Sequence, residues 1–528
     1  MYKRSLKHAS VVPQPTTTTT SVPVGADDDE PPSPHSSART SQVEHSNVDG
    51  GPVGNDAGQV GSVLSFGRER KKETTDPEKQ EEVRPATEQA LVSGERAVLR
   101  KTGRLRTLFT PRHPVGPSPT YRASAKATLK YTPLNIFLLC VPTSWILHYT
   151  HQSPVVIFVF AGLGILPLAA LLGLGTEQIA LRTSQSIGGL LNATLGNVIE
   201  LIVAAIALSH CDLNLVQSSL LGGLLSNLLL VLGMAFAAGG FRFHQQEFQP
   251  IVAQLNLTLM TLSVITLLVP AAFHEFLSER LQMGEEGQIL LQLSRGTSVI
   301  LLLIYIAYLF FQFYSHSHLF VDTVQQPTSR RSSASSSSVG TGSIVDPVLP
   351  PPVTSSLDHI EKPRLNVPFA LGLLVAITAL AYLTAEFLVD ALDEVAASAP
   401  FSKEFLTLII IPIISNAAEH TTAVVVASKG KFDLALGVAV GSCIQIALFV
   451  IPVLVLVAWC VGKPLSLVFD PLETLCLFFS VLLVKFSVED GKAHWMSGVV
   501  LVAVYIVIAL SFWNFPDNLG NDIGLVCA

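Results

Sequence analysis

The stretch LLNATLGNVIELIVAAIAL, Leu190–Leu208, is apolar enough to lie in lipid, yet it carries a carboxylate at Glu200. A second apolar run holds SNAAEH, Ser415–His420, with its own acid at Glu419. An ionisable group at membrane depth is expensive, and it marks either an ion pathway or a buried partner. The fold therefore turns on why one chain carries two such segments.

The rest of the chain supports a membrane reading. Its 528 residues are 49% hydrophobic and only 14% charged, with a mean hydropathy of +0.49. These values describe an all-α polytopic membrane protein rather than a series of soluble domains. The net charge of -7 collects in termini and loops, so no basic face for nucleic acid is expected. Cys140, Cys211, Cys443, Cys460, Cys476 and Cys527 show no paired spacing, which gives no reason to expect a disulfide framework or a zinc site. The first 30 residues lack an apolar core, so the first membrane span is expected to do the targeting.

Residues 1–130 contain TTTTT at Thr16–Thr20, DDDE at Asp27–Glu30 and many Pro, Gly and Ser residues, and they read as a disordered cytosolic tail. Beyond Lys130 lie eleven apolar segments, each near the ~20 residues a helix needs to cross the hydrocarbon. Their approximate spans are 133–150, 154–174, 186–209, 215–239, 251–273, 297–314, 367–389, 405–428, 433–461, 466–485 and 494–514. Residues 131–319 would hold a first helix and a five-helix repeat, and 366–515 a second five-helix repeat. A flexible cytosolic linker at 320–365, rich in Ser and Pro, would join them, and 516–528 would be a short lumenal tail. With a cytosolic N-terminus, the loops on that side collect Arg182, Arg242, Arg330, Arg331, Lys362, Arg364, Lys429, Lys431, Lys485 and Lys492. The opposite side has Arg280, Arg295, Lys403 and Lys463, so basic-residue asymmetry favours a cytosolic N-terminus and a non-cytosolic C-terminus.

Five is odd, so the second set of helices starts from the opposite face and the repeat is inverted. Aligned without gaps, Gly196 meets Ser415, Asn197 meets Asn416, and Glu200 meets Glu419, while Leu201 meets His420 and breaks the symmetry. Asn and Glu three apart share one helical face, so each motif offers an amide oxygen and a carboxylate to one spot near the midplane. Small neighbours such as Gly188, Gly189 and Ala417, together with Pro412, permit close helix approach or local unwinding.

Two carboxylates balance one divalent cation, and Ca²⁺ takes about 6 to 8 oxygen ligands, which two Glu, two Asn, carbonyls and water can supply. Mn²⁺ would accept the same oxygens, whereas the lack of thiolates and clustered histidines disfavours soft metals. Two adjacent carboxylates cannot both stay ionised comfortably once the cation leaves, so protons and metal compete for the same atoms, as an antiporter requires. Ser226 and Asn227 in the next apolar run of the first half, and Ser442 and Gln445 in that of the second, are candidate further ligands or packing groups. His420 is a candidate proton acceptor or gate. A sodium-coupled exchanger and a passive cation channel could use the same acids, and both stand as alternatives. An intramembrane hydrolase has no HExxH, no paired catalytic Asp motif and no Ser/His arrangement in its favour.

The runs GGLLNATLGNVIELIVAAIAL, SLLGGLLSNLLLVLG, LSRGTSVILLLIYIAYLFFQFYSHSHLF and SNAAEHTTAVVVASKGKFDLALGVAVGSCIQIALFV resemble the calcium/proton exchanger branch of the cation/Ca²⁺ exchanger superfamily. The long polar N-terminal segment looks like that of the fungal vacuolar members. The similarity covers about residues 130–515. It implies an eleven-helix exchanger of an acidic-organelle membrane that moves cytosolic Ca²⁺ into the lumen against returning H⁺, with no cofactor. The family's paired acids fall on Glu200 and Glu419, its amides on Asn197 and Asn416, and its flanking polar groups on His420, Ser442 and Gln445. Many members carry a dense acidic stretch after the sixth helix. Here Asp322, Asp346, Asp358 and Glu361 are sparse, a departure that speaks against an acidic gate at that place.

Overall fold

The computed structural model describes residues 116–277, 285–320 and 363–516. Most of the expected N-terminal tail, linker positions 321–362 and the tail from 517 lie outside the described residues. Within them the chain is almost wholly helical, because backbone polar groups in lipid must be satisfied inside each segment. Tyr121–Leu129 forms a helix, α1, although the sequence reading assigns it to the tail. Ser124 and Thr128 are buried on it, and Ser124 accepts the Asn366 N–H at 3.1 Å, tying it to the start of the second half.

A 3₁₀ turn at Pro133–Leu139 leads into α2, Cys140–Tyr149, and the chain continues through α3, Pro154–Ala180. The expected span 186–209 is not one helix. It consists of α4, Gln185–Leu195, and α5, Val198–Ser209, interrupted at Gly196–Asn197. Then come α6, Leu213–Gly240, with a π turn at Ser226–Val231, α7, Pro250–Leu277, and α8, Glu285–Phe310. The second half opens with α9, Val367–Asp390, and a short α10, Leu392–Ser398. The expected span 405–428 is also divided, into α11, Lys403–Ser415, and α12, Ala417–Ser428, bent by 55° at Asn416. The remaining helices are α13, Phe432–Cys460, with a π turn at Ile446–Val450, α14, Pro471–Val488, and α15, Trp495–Trp513.

Eight of these helices are long and apolar enough to cross a membrane, or nine with the bent pair counted as one span. The expected eleven segments therefore include three that are not continuous helices of full length. Gly, Asn and Pro interrupt two of them, and the first begins as a 3₁₀ turn behind Pro133.

The most enclosed of these spans is α6, with 83% of its apolar window buried, against 17% for α8, so α6 lies inside and α8 on the periphery. Close packing there depends on missing side chains. A Cβ on Gly222 of α6 would collide with the Leu408 carbonyl oxygen of α11. The absence of that atom is what allows the two backbones to meet. Gly233 and Gly498 play the same part where α6 crosses α15.

Polar side chains secure the loops. The Gln178 amide oxygen accepts the N–H groups of Arg364 and Leu365 at 2.7 and 3.2 Å, and the Gln217 amide donates to the carbonyls of Ser466 and Val468 at 3.0 and 2.9 Å. A small antiparallel ladder, β1 at Gln246–Glu247 and β2 at Lys492–Ala493, joins two loops that an all-helical reading leaves unconnected. Cys211 is disulfide-bonded, which corrects the expectation from spacing alone, while Cys140, Cys443, Cys460 and Cys476 are free.

Candidate ion-binding site

The two interrupted helices give the site its form. Asn197 is the N-cap of α5 and Glu200 its third residue; Asn416 is the N-cap of α12 and Glu419 its third residue. Both carboxylates therefore sit in the first turn of a half-helix, where the positive end of the helix dipole favours negative charge.

An N-cap asparagine ordinarily turns its oxygen onto an N–H of that first turn. Neither of these does so. Each glutamate instead accepts its own backbone N–H, which leaves the asparagines to reach across the protein. The Asn197 Nδ2 donates to Gln445 Oε1 on α13 at 2.7 Å. The Asn416 Nδ2 donates to the Gly223 carbonyl at 3.5 Å, and its Oδ1 accepts from Asn227 Nδ2 at 3.4 Å. Each half thus has an amide held by the α6 or α13 helix of the other half.

These bonds decide which oxygens are left. The Oδ1 atoms of Asn197 and Asn227 and the Oε1 of Glu200 are buried without a hydrogen-bond partner. Asn197 and Glu200 are 2% and 5% exposed, and Asn227 is fully enclosed. Buried acceptors are nearly always paired, so these three oxygens are able to accept a positive ligand. Glu419 is close enough for the Glu200 charge to act on it, and the Ser415 hydroxyl, which donates to the Pro412 carbonyl at 3.4 Å, lies beside Glu200. Two carboxylates and two amide oxygens can offer up to six oxygens, the lower end of what Ca²⁺ takes.

The expected residues divide by role. Asn197, Glu200 and Asn227 carry unpartnered buried oxygens, and Glu419 lies near Glu200. The amide oxygens of Asn416 and Gln445 each already accept one hydrogen bond, from Asn227 and Asn197. His420 is half-buried, with Nε2 3.3 Å from Ser226 Oγ. Ser442 is half-buried three residues before Gln445, and among the described residues no hydrogen bond ties it to the carboxylates. Ser415 is legible in the sequence only as a small residue beside the motif, aligned with Gly196.

The same architecture is found elsewhere. A family model described as sodium/calcium exchanger protein matches residues 153–314 and 369–514, one block on each side of the linker. The chain belongs to the sodium/calcium exchanger family. A vacuolar calcium ion transporter of Cryptococcus neoformans var. grubii is 42% identical over 474 residues, covering 78% of each chain. A Ca²⁺/H⁺ antiporter of Aphanothece halophytica is 40% identical over 381 residues, covering 72% of this chain and 95% of its own. Among solved structures, the Ca²⁺/H⁺ antiporter protein YfkE aligns with a TM-score of 0.56 at 31% identity, covering 72% of this chain and 98% of its own. Both matched blocks contain one Asn–Glu motif, so the exchanger similarity extends through the two interrupted helices.

Proposed function

We propose that this exchanger carries Ca²⁺ from the cytosol into an acidic vacuolar lumen in return for H⁺, with one cation held between Glu200 and Glu419. The observation that carries the reading is the set of orphaned oxygens on Asn197 and Glu200, at the break before α5, and on Asn227, in the π turn of α6. The names of its relatives, a vacuolar calcium ion transporter and Ca²⁺/H⁺ antiporters, favour the same ions and compartment.

The fold is read as eleven passes, one extra helix and two inverted five-helix repeats. Support comes from the paired breaks at Asn197 and Asn416 and from π turns that start at Ser226 and Ile446, at corresponding places in α6 and α13. The domain division follows: cytosolic tail, first repeat to residue 319, linker 320–365, second repeat to 515 and a lumenal end.

Mechanistically, the cation is neutralised by two carboxylates whose charge the α5 and α12 N-termini also favour. Asn197 and Asn227 complete the oxygen shell, while Gln445 and Asn416 hold those amides in position. When the site opens to the acidic side, protons take the carboxylate oxygens and the cation departs. The protonated pair then returns without metal, and His420, beside Ser226, is placed to respond to that change. Alternating access arises from movement of one inverted repeat against the other. Mn²⁺ fits the same oxygens.

Reconstituted vesicles with an acidic interior test this. Ca²⁺ uptake, and Mn²⁺ uptake in a parallel arm, should collapse on adding a protonophore. Uptake that ignores the proton gradient but follows an imposed sodium gradient would favour the sodium-coupled alternative, and currents far above carrier turnover would favour a channel.

A further inference from the structure

A third acid lies at the end of the bundle that carries Asp212, Lys403 and Asp470, where no part of the ion-binding reading uses it. Glu473 is the third residue of α14 and only 1% exposed, and neither carboxylate oxygen completes a hydrogen bond. It is not needed as a cap, because Asp470 Oδ1 already accepts the N–H groups of Leu472 and Glu473 at 2.8 and 3.1 Å.

Its charged surroundings are acidic. Asp470 on its own element and Glu404 on α11 both act on it electrostatically, and the Ser218 hydroxyl of α6 lies alongside. Cys476, one turn on, also feels Glu473 and Asp470. Lys403 is held by Asp212 at 2.7 Å and Asp393 at 2.8 Å, and on α7 His274 is paired to Glu286 at 2.6 Å. The neighbouring end of α15 carries no charged side chain. An ionised carboxylate in this position would keep its charge uncompensated, whereas the acid form is neutral.

The position also connects to the site. Ser218, Gly222 and Ser226 recur every four residues on one face of α6, and Ser226 reaches His420. Eight residues of helix place Glu473 about 12 Å along the axis from Ser226.

We propose that Glu473 is a proton-binding carboxyl on the lumenal half of the transport path, which delivers its proton along this face of α6 toward Glu200 and Glu419. The O–H bond on Glu473 breaks as one forms on the accepting carboxylate, and the lumen restores the lost proton. The inference rests on the proton-exchange reading above.

The test compares the full-length parent with Glu473→Gln in vesicles, using proton-driven Ca²⁺ uptake, Ca²⁺/Ca²⁺ exchange at equal pH and pH-difference infrared spectra. The variant should lose about tenfold or more in proton-driven uptake, the range seen when a positioned proton-transfer group is removed. Its Ca²⁺/Ca²⁺ exchange should match the parent, and one protonated-carboxyl C=O band should vanish. Unchanged proton-driven uptake, equal loss of both transport modes, or an unaltered infrared spectrum would overturn the proposal. So would a variant that fails to fold, since an amide is the nearest isostere of a neutral acid. A parent without proton-driven uptake would refute the antiport reading instead, and the infrared arm would still decide whether Glu473 carries a proton.

Discussion

Removing the Asn197 side chain tests how the site is held as well as what it binds. Asn197→Ala deletes a buried amide oxygen that has no other partner and the 2.7 Å bond to Gln445. Loss of an interaction to a charged group, about 1.5–3 kcal/mol, corresponds to roughly 13- to 160-fold in affinity. Gln445→Ala removes only the bond that positions Asn197, worth about 0.5–1.5 kcal/mol, or roughly 2- to 13-fold. The double variant should then resemble Asn197→Ala alone, because Gln445 has nothing left to position. The assay is the apparent Ca²⁺ affinity for uptake at a fixed proton gradient, measured for all four proteins as a double-mutant cycle. Strict additivity, or a larger effect for Gln445→Ala than for Asn197→Ala, would refute the assignment of ligand and support.

Three further outcomes follow from the geometry. Gly222→Ala puts a methyl group into the Leu408 carbonyl and should destabilise the protein by about 1–3 kcal/mol, read as a lower Tm in detergent; an unchanged Tm would mean that α6 and α11 are not in this contact. Gln178→Leu strips the acceptor from two backbone N–H groups at Arg364 and Leu365, and should lower stability by about 1–3 kcal/mol for each donor left unpaired; parental stability would count against that tether. Because metal and protons share the two carboxylates, Ca²⁺ binding should release up to two protons, so acidifying the binding side weakens affinity by at most about 100-fold per pH unit. Affinity independent of pH would separate the metal site from the proton site.

The membrane class and the two acids were legible because lipid imposes a simple rule, a long apolar run, and any charge within such a run stands out. Asn197 and Asn416 were legible as partners of those acids through their spacing of three. Their role as N-caps at helix breaks was less so. Gly196 and Pro412 permit a break without requiring one, and only packing against α6 and α13 shows that the asparagine amides are recruited across the protein. The Asn197–Gln445 and Asn227–Asn416 bonds link residues 248 and 189 positions apart, a separation at which local pattern carries no information. Glu473 falls within the expected span 466–485 but lacks the Asn three residues earlier that marks the other two acids, and its burial depends on α6 and α11. The helix at Tyr121–Leu129 is not legible as part of the bundle because it is polar on average and buries Ser124 and Thr128 rather than apolar residues, with Ser124 accepting from Asn366.

The most direct measurement is proton-driven Ca²⁺ uptake by vesicles containing the parent, Glu200→Gln or Glu419→Gln, with each variant's Ca²⁺/Ca²⁺ exchange recorded alongside. Two carboxylates sharing one ion predict that either substitution abolishes both modes, since a single remaining charge neither balances the cation nor trades it for protons. Near-parental uptake by either variant would contradict a site built on the pair.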